Sequence, residues 1–463
     1  MTYGIVAALM LAQAAPAAPA AAASGGPILT LDEAMREAQA KNFDLKAARA
    51  RLEQSKELSW KAWSSYLPQI AAAGTFTHSD FADVTFQMPT SFAIRDVGAP
   101  AVDPNPGLPG TPSQYALLPT DVESFVIQKQ NQLGAQVQLA QALIAPQAWF
   151  GIGAARIGEQ VAADTIENTR RQVLFGVAQA YYAAAGARQV VAIQERQLAI
   201  ALAHENDARV RYQAGTAAKI TLLRAEIDRT RSEQDLKRAQ NGYASAKVVV
   251  ATLLDRRSAD FEVVVPPSPQ MPASLDTLEQ DAPRLRPDVQ AADASVRLAE
   301  RNRAGVVSRY APALGAFARW QWANLAGFTG KESTFSLGLA LTWTLLDGGL
   351  REAELRENGA RIVEAEATRL GAEANAVEEV KRARLDLDSA VANREKAKEE
   401  LALAQENQRL VNVNYQAGAA TYLEVADANA TLLSAALTQV RESLSADLAA
   451  LRVLLAAGVF DPR

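Results

Sequence analysis

Two spacings of apolar residues alternate along this chain. Val173, Val177, Ala180 and Ala184 recur at intervals of three and four, which puts them on one face of an α-helix. Elsewhere the interval is two. Leu133, Ala135, Val137 and Leu139 alternate with Gly134, Gln136 and Gln138. Leu314, Ala316, Ala318, Trp320 and Trp322 alternate with Phe317, Arg319 and Gln321. Phe335, Leu337, Leu339, Leu341 and Trp343 alternate with Ser336, Gly338, Ala340, Thr342 and Thr344. A period of two belongs to a strand with one apolar face. The pattern predicts four strands, at about 69–79, 130–142, 312–323 and 334–345.

Proline marks out the helices. None occurs between Pro146 and Pro266, or between Pro312 and Pro462, and both stretches are rich in Ala, Leu, Glu, Gln and Arg. One short signal interrupts each stretch: Tyr212-Gln213-Ala214-Gly215 in the first and Tyr415-Gln416-Ala417-Gly418 in the second. A glycine after a helical run is the usual left-handed cap. Thr216 and Thr421 are the expected caps of the helices that follow. Each stretch therefore reads as a helical hairpin, 147–254 with its tip at 212–219, and 350–456 with its tip at 415–421.

The tip tetrapeptide is part of a longer internal repeat. Asp44-Leu45-Lys46-Ala47-Ala48 matches Asp288-Val289-Gln290-Ala291-Ala292, and Tyr66-Leu67-Pro68 matches Tyr310-Ala311-Pro312. The first repeat is expected over 24–254, with a helix, strand 69–79, a loop over 80–129, strand 130–142 and the first hairpin. A linker follows at 255–287. The second repeat is expected over 288–458, with helix 288–309, strands 312–323 and 334–345 and the second hairpin, and a tail at 459–463 completes the chain. The loop at 80–129 has no equally long counterpart in the second repeat and is Pro-rich at its centre, which reads as a long surface loop.

Composition now narrows the function. The 463 residues contain no cysteine and only two histidines, His78 and His204, and carry a net charge of −5. Cys-based zinc, thiol and disulfide chemistry is excluded. The charge balance gives no basis for nucleic-acid binding. No cofactor and no enzymatic activity are expected. Ile5–Leu11 is a short apolar run, and Ala21-Ala22-Ala23 offers a cleavage site before Ser24, so residues 1–23 read as an export signal, although the first ten contain no Lys or Arg. Alternating strands of about ten residues with Trp near their ends fit an outer-membrane barrel, or alternatively a soluble sandwich. Four strands cannot close a barrel, and an open sheet edge cannot face lipid. A barrel would thus be shared between two copies or three.

These features together resemble the TolC-like outer-membrane factor (outer membrane efflux protein) family. The residues that carry the resemblance are Leu29-Thr30-Leu31-Asp32-Glu33-Ala34, Arg286-Pro287-Asp288-Val289, Leu346-Asp347-Gly348-Gly349, and Gly418 through Thr421-Tyr422-Leu423-Glu424-Val425-Ala426-Asp427-Ala428. The resemblance implies a mixed, mainly α fold. It implies a homotrimer with a shared twelve-stranded transmembrane β-barrel and a long α-helical coiled-coil tunnel, located in the outer membrane with a periplasmic extension. It implies the exit duct of a tripartite efflux or type I secretion system, opened at its periplasmic tip by a periplasmic adaptor and an inner-membrane RND or ABC pump, with outer-membrane lipid around the barrel. It further implies a gate and selectivity ring at Glu424, Asp427 and Tyr415, and adaptor-contacting tips at Tyr212, Gly215, Thr216, Gly418, Ala419 and Thr421. Where well-known members carry an Arg that locks the closed tip, this chain has Ala420, and the acidic partner position reads Thr221. Closure is therefore expected to rest on packing and neutral hydrogen bonds. Two other readings remain: a helical-hairpin scaffold or surface protein, which leaves the strands unexplained, and a passive porin, which leaves the long helices unexplained.

Overall fold

The computed structural model describes residues 26–97, 115–271, 276–326 and 330–461. The export signal expected at 1–23 lies outside the described residues. The chain begins with β1 (Ile28–Leu29), α1 (Leu31–Lys41) and α2 (Phe43–Ser64), followed by strands β2 (Gln69–His78), β3 (Val84–Asp96), β4 (Tyr115–Gln128) and β5 (Asn131–Ile144). The first hairpin is α3 (Pro146–Gln213) and α4 (Lys219–Leu253), after which come β6 (Glu262–Val263), α5 (Asp276–Leu285) and α6 (Pro287–Val307). The last elements are β7 (Ala313–Ala323), β8 (Ser333–Thr342) and the second hairpin, α7 (Leu350–Gln416) and α8 (Tyr422–Ala456). Among the described residues no helix is long and apolar enough to cross a membrane. The chain divides into two compact units.

One unit, Glu53–Ala162 with Ala292–Thr368, holds β2–β5, β7 and β8. Its four-stranded sheet has the order β2-β5-β7-β8, and each neighbouring pair is antiparallel. The register follows the apolar alternation. Ile70 pairs with Leu139, Leu139 with Ala318 and Ala318 with Leu337, so one face of the sheet is apolar from edge to edge. Phe335, Leu337, Leu339 and Leu341 on that face are each at least 67% exposed. Four large apolar side chains that bare are not the inside of a soluble sandwich. β2 and β8 each carry a free edge.

The expected loop at 80–129 is corrected by this unit. It contains an antiparallel ribbon of β3 and β4, with Phe86 opposite Phe125 and Ile94 opposite Leu117. The prolines at 100–112 fall between the two strands rather than within them. Pro89 and Pro119 do lie inside the ribbon, and the register slips between Pro89 and Ser91 and again between Ser91 and Phe92. A two-stranded ribbon tolerates proline this way, because each strand has one unpaired edge and a bulge absorbs the missing donor.

The other unit, Met1–Leu52 with Ala163–Ala291 and Arg369–Arg463, is helical. Leu174, Val177, Ala178, Tyr181 and Ala184 on α3 are fully buried and pack with Ala34 and Ala38 of α1 and Val250 and Leu254 at the end of α4. The expected linker at 255–287 is also corrected here. It supplies β6, which pairs in parallel with β1, and α5, whose Leu278 and Ala282 join a second buried cluster with Val380, Ala383 and Val453. The sequence missed β1 and β6 because two residues are too few to show a period. What holds them is Tyr181, wholly buried on α3, whose hydroxyl is 2.7 Å from the Leu29 carbonyl and 2.9 Å from the Val264 carbonyl.

Candidate functional site: the paired hairpin tips

The two tips are built alike. Gly215 and Gly418 have φ of 74° and 77°, the left-handed region where a Cβ is disfavoured. Gly215 N donates to Tyr212 O at 3.0 Å and Thr216 N to Arg211 O at 2.9 Å. In the second tip Gly418 N donates to Tyr415 O at 3.1 Å and Ala419 N to Asn414 O at 2.8 Å. Each turn thereby satisfies the last carbonyls of its long helix.

The starts of the returning helices differ. Thr421 caps α8 in a reciprocal box: its hydroxyl accepts from Glu424 N at 3.4 Å, and Glu424 Oε2 accepts from Thr421 N at 2.6 Å and from the Thr421 hydroxyl at 2.9 Å. The expected cap by Thr216 does not form. Its hydroxyl donates backward to Arg211 O at 3.0 Å, and the N-cap of α4 is Ala218, with no side-chain bond. In the repeat register Ala218 is the counterpart of Thr421, three residues past the glycine, and Thr216 is the counterpart of Ala419.

Glu424 and Asp427 are both exposed on the first turns of α8. The amide and hydroxyl of Thr421 hold the Glu424 carboxyl below its usual value, so the group stays ionised well into acid. Tyr415 is half-buried. The Arg211 guanidinium lies over its ring, 4.8 Å from the centroid, while Arg211 pairs with Asp207 at 2.9 Å. Burial raises the Tyr415 phenol, Arg211 opposes that shift, and Asp207 adds to it. Tyr212, Gly215, Thr216, Gly418, Ala419 and Thr421 are all exposed.

A second link joins the returning helices. Tyr422 on α8 donates to Asp228 Oδ2 on α4 at 2.9 Å, and burial together with that carboxylate drives its phenol strongly upward. The His204 ring of α3 meets Tyr422 edge-on, with centroids 6.4 Å apart. Asn429 on α8 lies 3.3 Å from His204 Nε2 and accepts from Gln408 of α7 at 3.2 Å. Burial lowers the His204 imidazole, and Asp207 and Asp228 pull it the other way. Arg229 on α4 reaches back to buried Glu205 on α3 at 2.6 Å. The pairing of tips within one chain therefore uses charged groups, not only the neutral contacts expected from Ala420 and Thr221. Arg211, Asp207 and Asp228 were not singled out from the sequence, and Tyr422 was read only as part of the tip motif. Arg211 could have been found, since it immediately precedes the repeated tetrapeptide. The pairing of Asp228 with Tyr422 could not, because they meet across two helices with no local signal.

Residues 278–459, covering the second hairpin with its tip and both strands of the second repeat, match the family model described as outer membrane efflux protein. That stretch is similar to outer membrane efflux proteins, and it makes up less than half of the chain. The chain's fold agrees over nearly the whole length. The outer membrane protein VceC of Vibrio cholerae is 18% identical with a TM-score of 0.70, the match covering 92% of this chain and 96% of that one. The MtrE outer membrane channel of Neisseria gonorrhoeae, in its open state, is 17% identical with a TM-score of 0.67 over 93% and 89%. The CmeC outer membrane channel of Campylobacter jejuni is 16% identical with a TM-score of 0.66 over 93% and 85%. No curated protein matches the sequence significantly. The chain is thus mainly helical with an antiparallel four-stranded sheet, the fold it shares with these outer-membrane channels.

Proposed function

We propose that three copies of this chain form an outer-membrane exit duct, with a twelve-stranded barrel closed by pairing β8 of each copy with β2 of the next. The observation that carries this reading is the sheet itself. It bares an apolar face, and its two edge strands present unpaired backbone groups, which lipid does not tolerate. Closure between copies satisfies both edges, and three copies fit the channel fold that the chain shares.

In this reading the hairpin tips form the periplasmic entrance. Three copies of Glu424 and Asp427 put six carboxylates there, which repel one another and attract cations. Tyr415, held under Arg211, fixes the second tip against the first. Tyr212, Gly215, Thr216, Gly418, Ala419 and Thr421 are the surface offered to a periplasmic adaptor, which opens the duct together with an inner-membrane pump. The protein conducts and carries out no reaction.

The absence of cysteine gives a clean test. Single cysteines placed along β2 (Ala71→Cys, Ala73→Cys) are combined with single cysteines along β8 (Ser336→Cys, Ala340→Cys). On oxidation in outer-membrane fractions, the pairs in register should give covalent dimers and trimers and no larger species. Monomer alone from every combination would contradict the shared barrel.

A further inference from the structure

The four strands of the sheet hold one Lys, Arg, Asp or Glu among them, and it is Arg319. It lies midway along β7, which is an interior strand between β5 and β8. The register puts it opposite Gln138 on one side and Ser336 on the other. Strand alternation puts it on the face away from Leu337, Leu339, Trp320 and Trp322, together with Gln136, Gln138 and Gln321. An arginine on a lipid-facing strand surface is destabilising, whereas on the inner surface it sets selectivity.

Among the described residues no carboxylate forms an ion pair with this cation. Its hydrogen bond among the described residues is Nη2 to Gln138 Oε1, at a long 3.4 Å. Its Nε is buried with no hydrogen-bond partner. A guanidinium has five donors in a fixed fork suited to carboxylate, sulfate and phosphate. Here most of the donors remain for a ligand, and no carboxylate exists on any of the four strands to occupy them.

We propose that Arg319 is an anion-binding position in the barrel lumen. Resting on the trimeric reading above, three copies form a belt at one level of the barrel, which slows and concentrates anionic solutes such as sulfate, phosphate esters and carboxylates on their way out. Rings of arginine select anions in pores by this means. The belt has the opposite sign to the carboxylates of Glu424 and Asp427. The attraction reaches roughly one Debye length, about 10 Å at 0.1 M salt and about 3 Å at 1 M.

The test is block of single channels in planar bilayers by inositol hexakisphosphate, added to each side in turn, for the full-length trimer and for R319Q and R319K. The wild-type channel should be blocked at 0.1 M salt and released at 1 M. R319Q should need about tenfold more polyanion, because three cations facing one polyvalent anion are lost together. R319K keeps the charge without the fork and should keep part of the block, and release of that block at 1 M salt is not what a purely steric role predicts. Equal block of wild type and R319Q, with both conducting as trimers, overturns the anion belt and leaves the duct intact. Failure of the wild-type protein to form a three-chain conducting particle overturns both.

Discussion

At the scale of single residues, the second tip rests on one threonine and one glutamate. Thr421→Ala removes the hydroxyl that caps α8 and should cost about 1 kcal/mol in the opening of its first turn, read as faster amide exchange over 422–425, with Thr421→Ser restoring protection. The Glu424 carboxyl is depressed in the folded state, so its contribution is fully present above the ordinary value of 4.5 and is lost as pH falls through its lower folded value. Protection of the same amides should drop below about pH 4.5 in the wild type, and E424Q should show a pH-independent loss. Exchange equally pH-dependent in E424Q would remove Glu424 from the cap. The caps also show what a sequence reading catches. Thr421 and Glu424 announce themselves by the spacing of a capping box. Thr216 misled because it is the threonine nearest the glycine, whereas the repeat register assigns the cap to the third residue after it, which is Ala218.

At the scale of elements, the long helices were legible from proline placement and apolar spacing, and their ends from Gly215 and Gly418. The strands of the sheet were legible because the large apolar residues of β5, β7 and β8 fall mostly on one face and the polar ones mostly on the other. Two elements were not legible, and for different reasons. The β3–β4 ribbon was obscured by a proline-rich centre and by two internal prolines that bulges accommodate. The short β1–β6 pair has no period of its own and depends on the hydroxyl of Tyr181. Contacts between helices were invisible in the same way. Tyr422 and Asp228 join α8 to α4 although 194 residues separate them. Tyr422→Phe leaves the Asp228 carboxylate short of a donor, and hydrogen bonds to charged groups contribute about 1.5–3 kcal/mol. This substitution should loosen the two returning helices together, so that exchange rises on both α4 and α8 near the tips. A rise confined to α8 would mean that Asp228 is not the partner that matters. The capping asymmetry leads to a second expectation at this scale. The first turn of α4, with no side-chain cap, should exchange faster than the first turn of α8 in the wild-type protein.

At the scale of the whole molecule, the proposal rests on a sheet that does not close on itself. The apolar face and free edges of β2 and β8 are the ground for proposing that copies of the same chain complete the barrel. Glu424 and Asp427 belong to the second tip, and Arg319 is the one charged residue on β2, β5, β7 and β8. The fold class could be read from the sequence, and counting strands led to the proposal of several copies. The number of copies could not, since eight and twelve strands both satisfy that count. The measurement that bears most directly on the account is the mass of the protein extracted from outer membranes in detergent, by light scattering with the detergent contribution subtracted. Three chains per particle is the predicted result. One chain per particle, or two, would contradict the shared twelve-stranded barrel on which the duct depends.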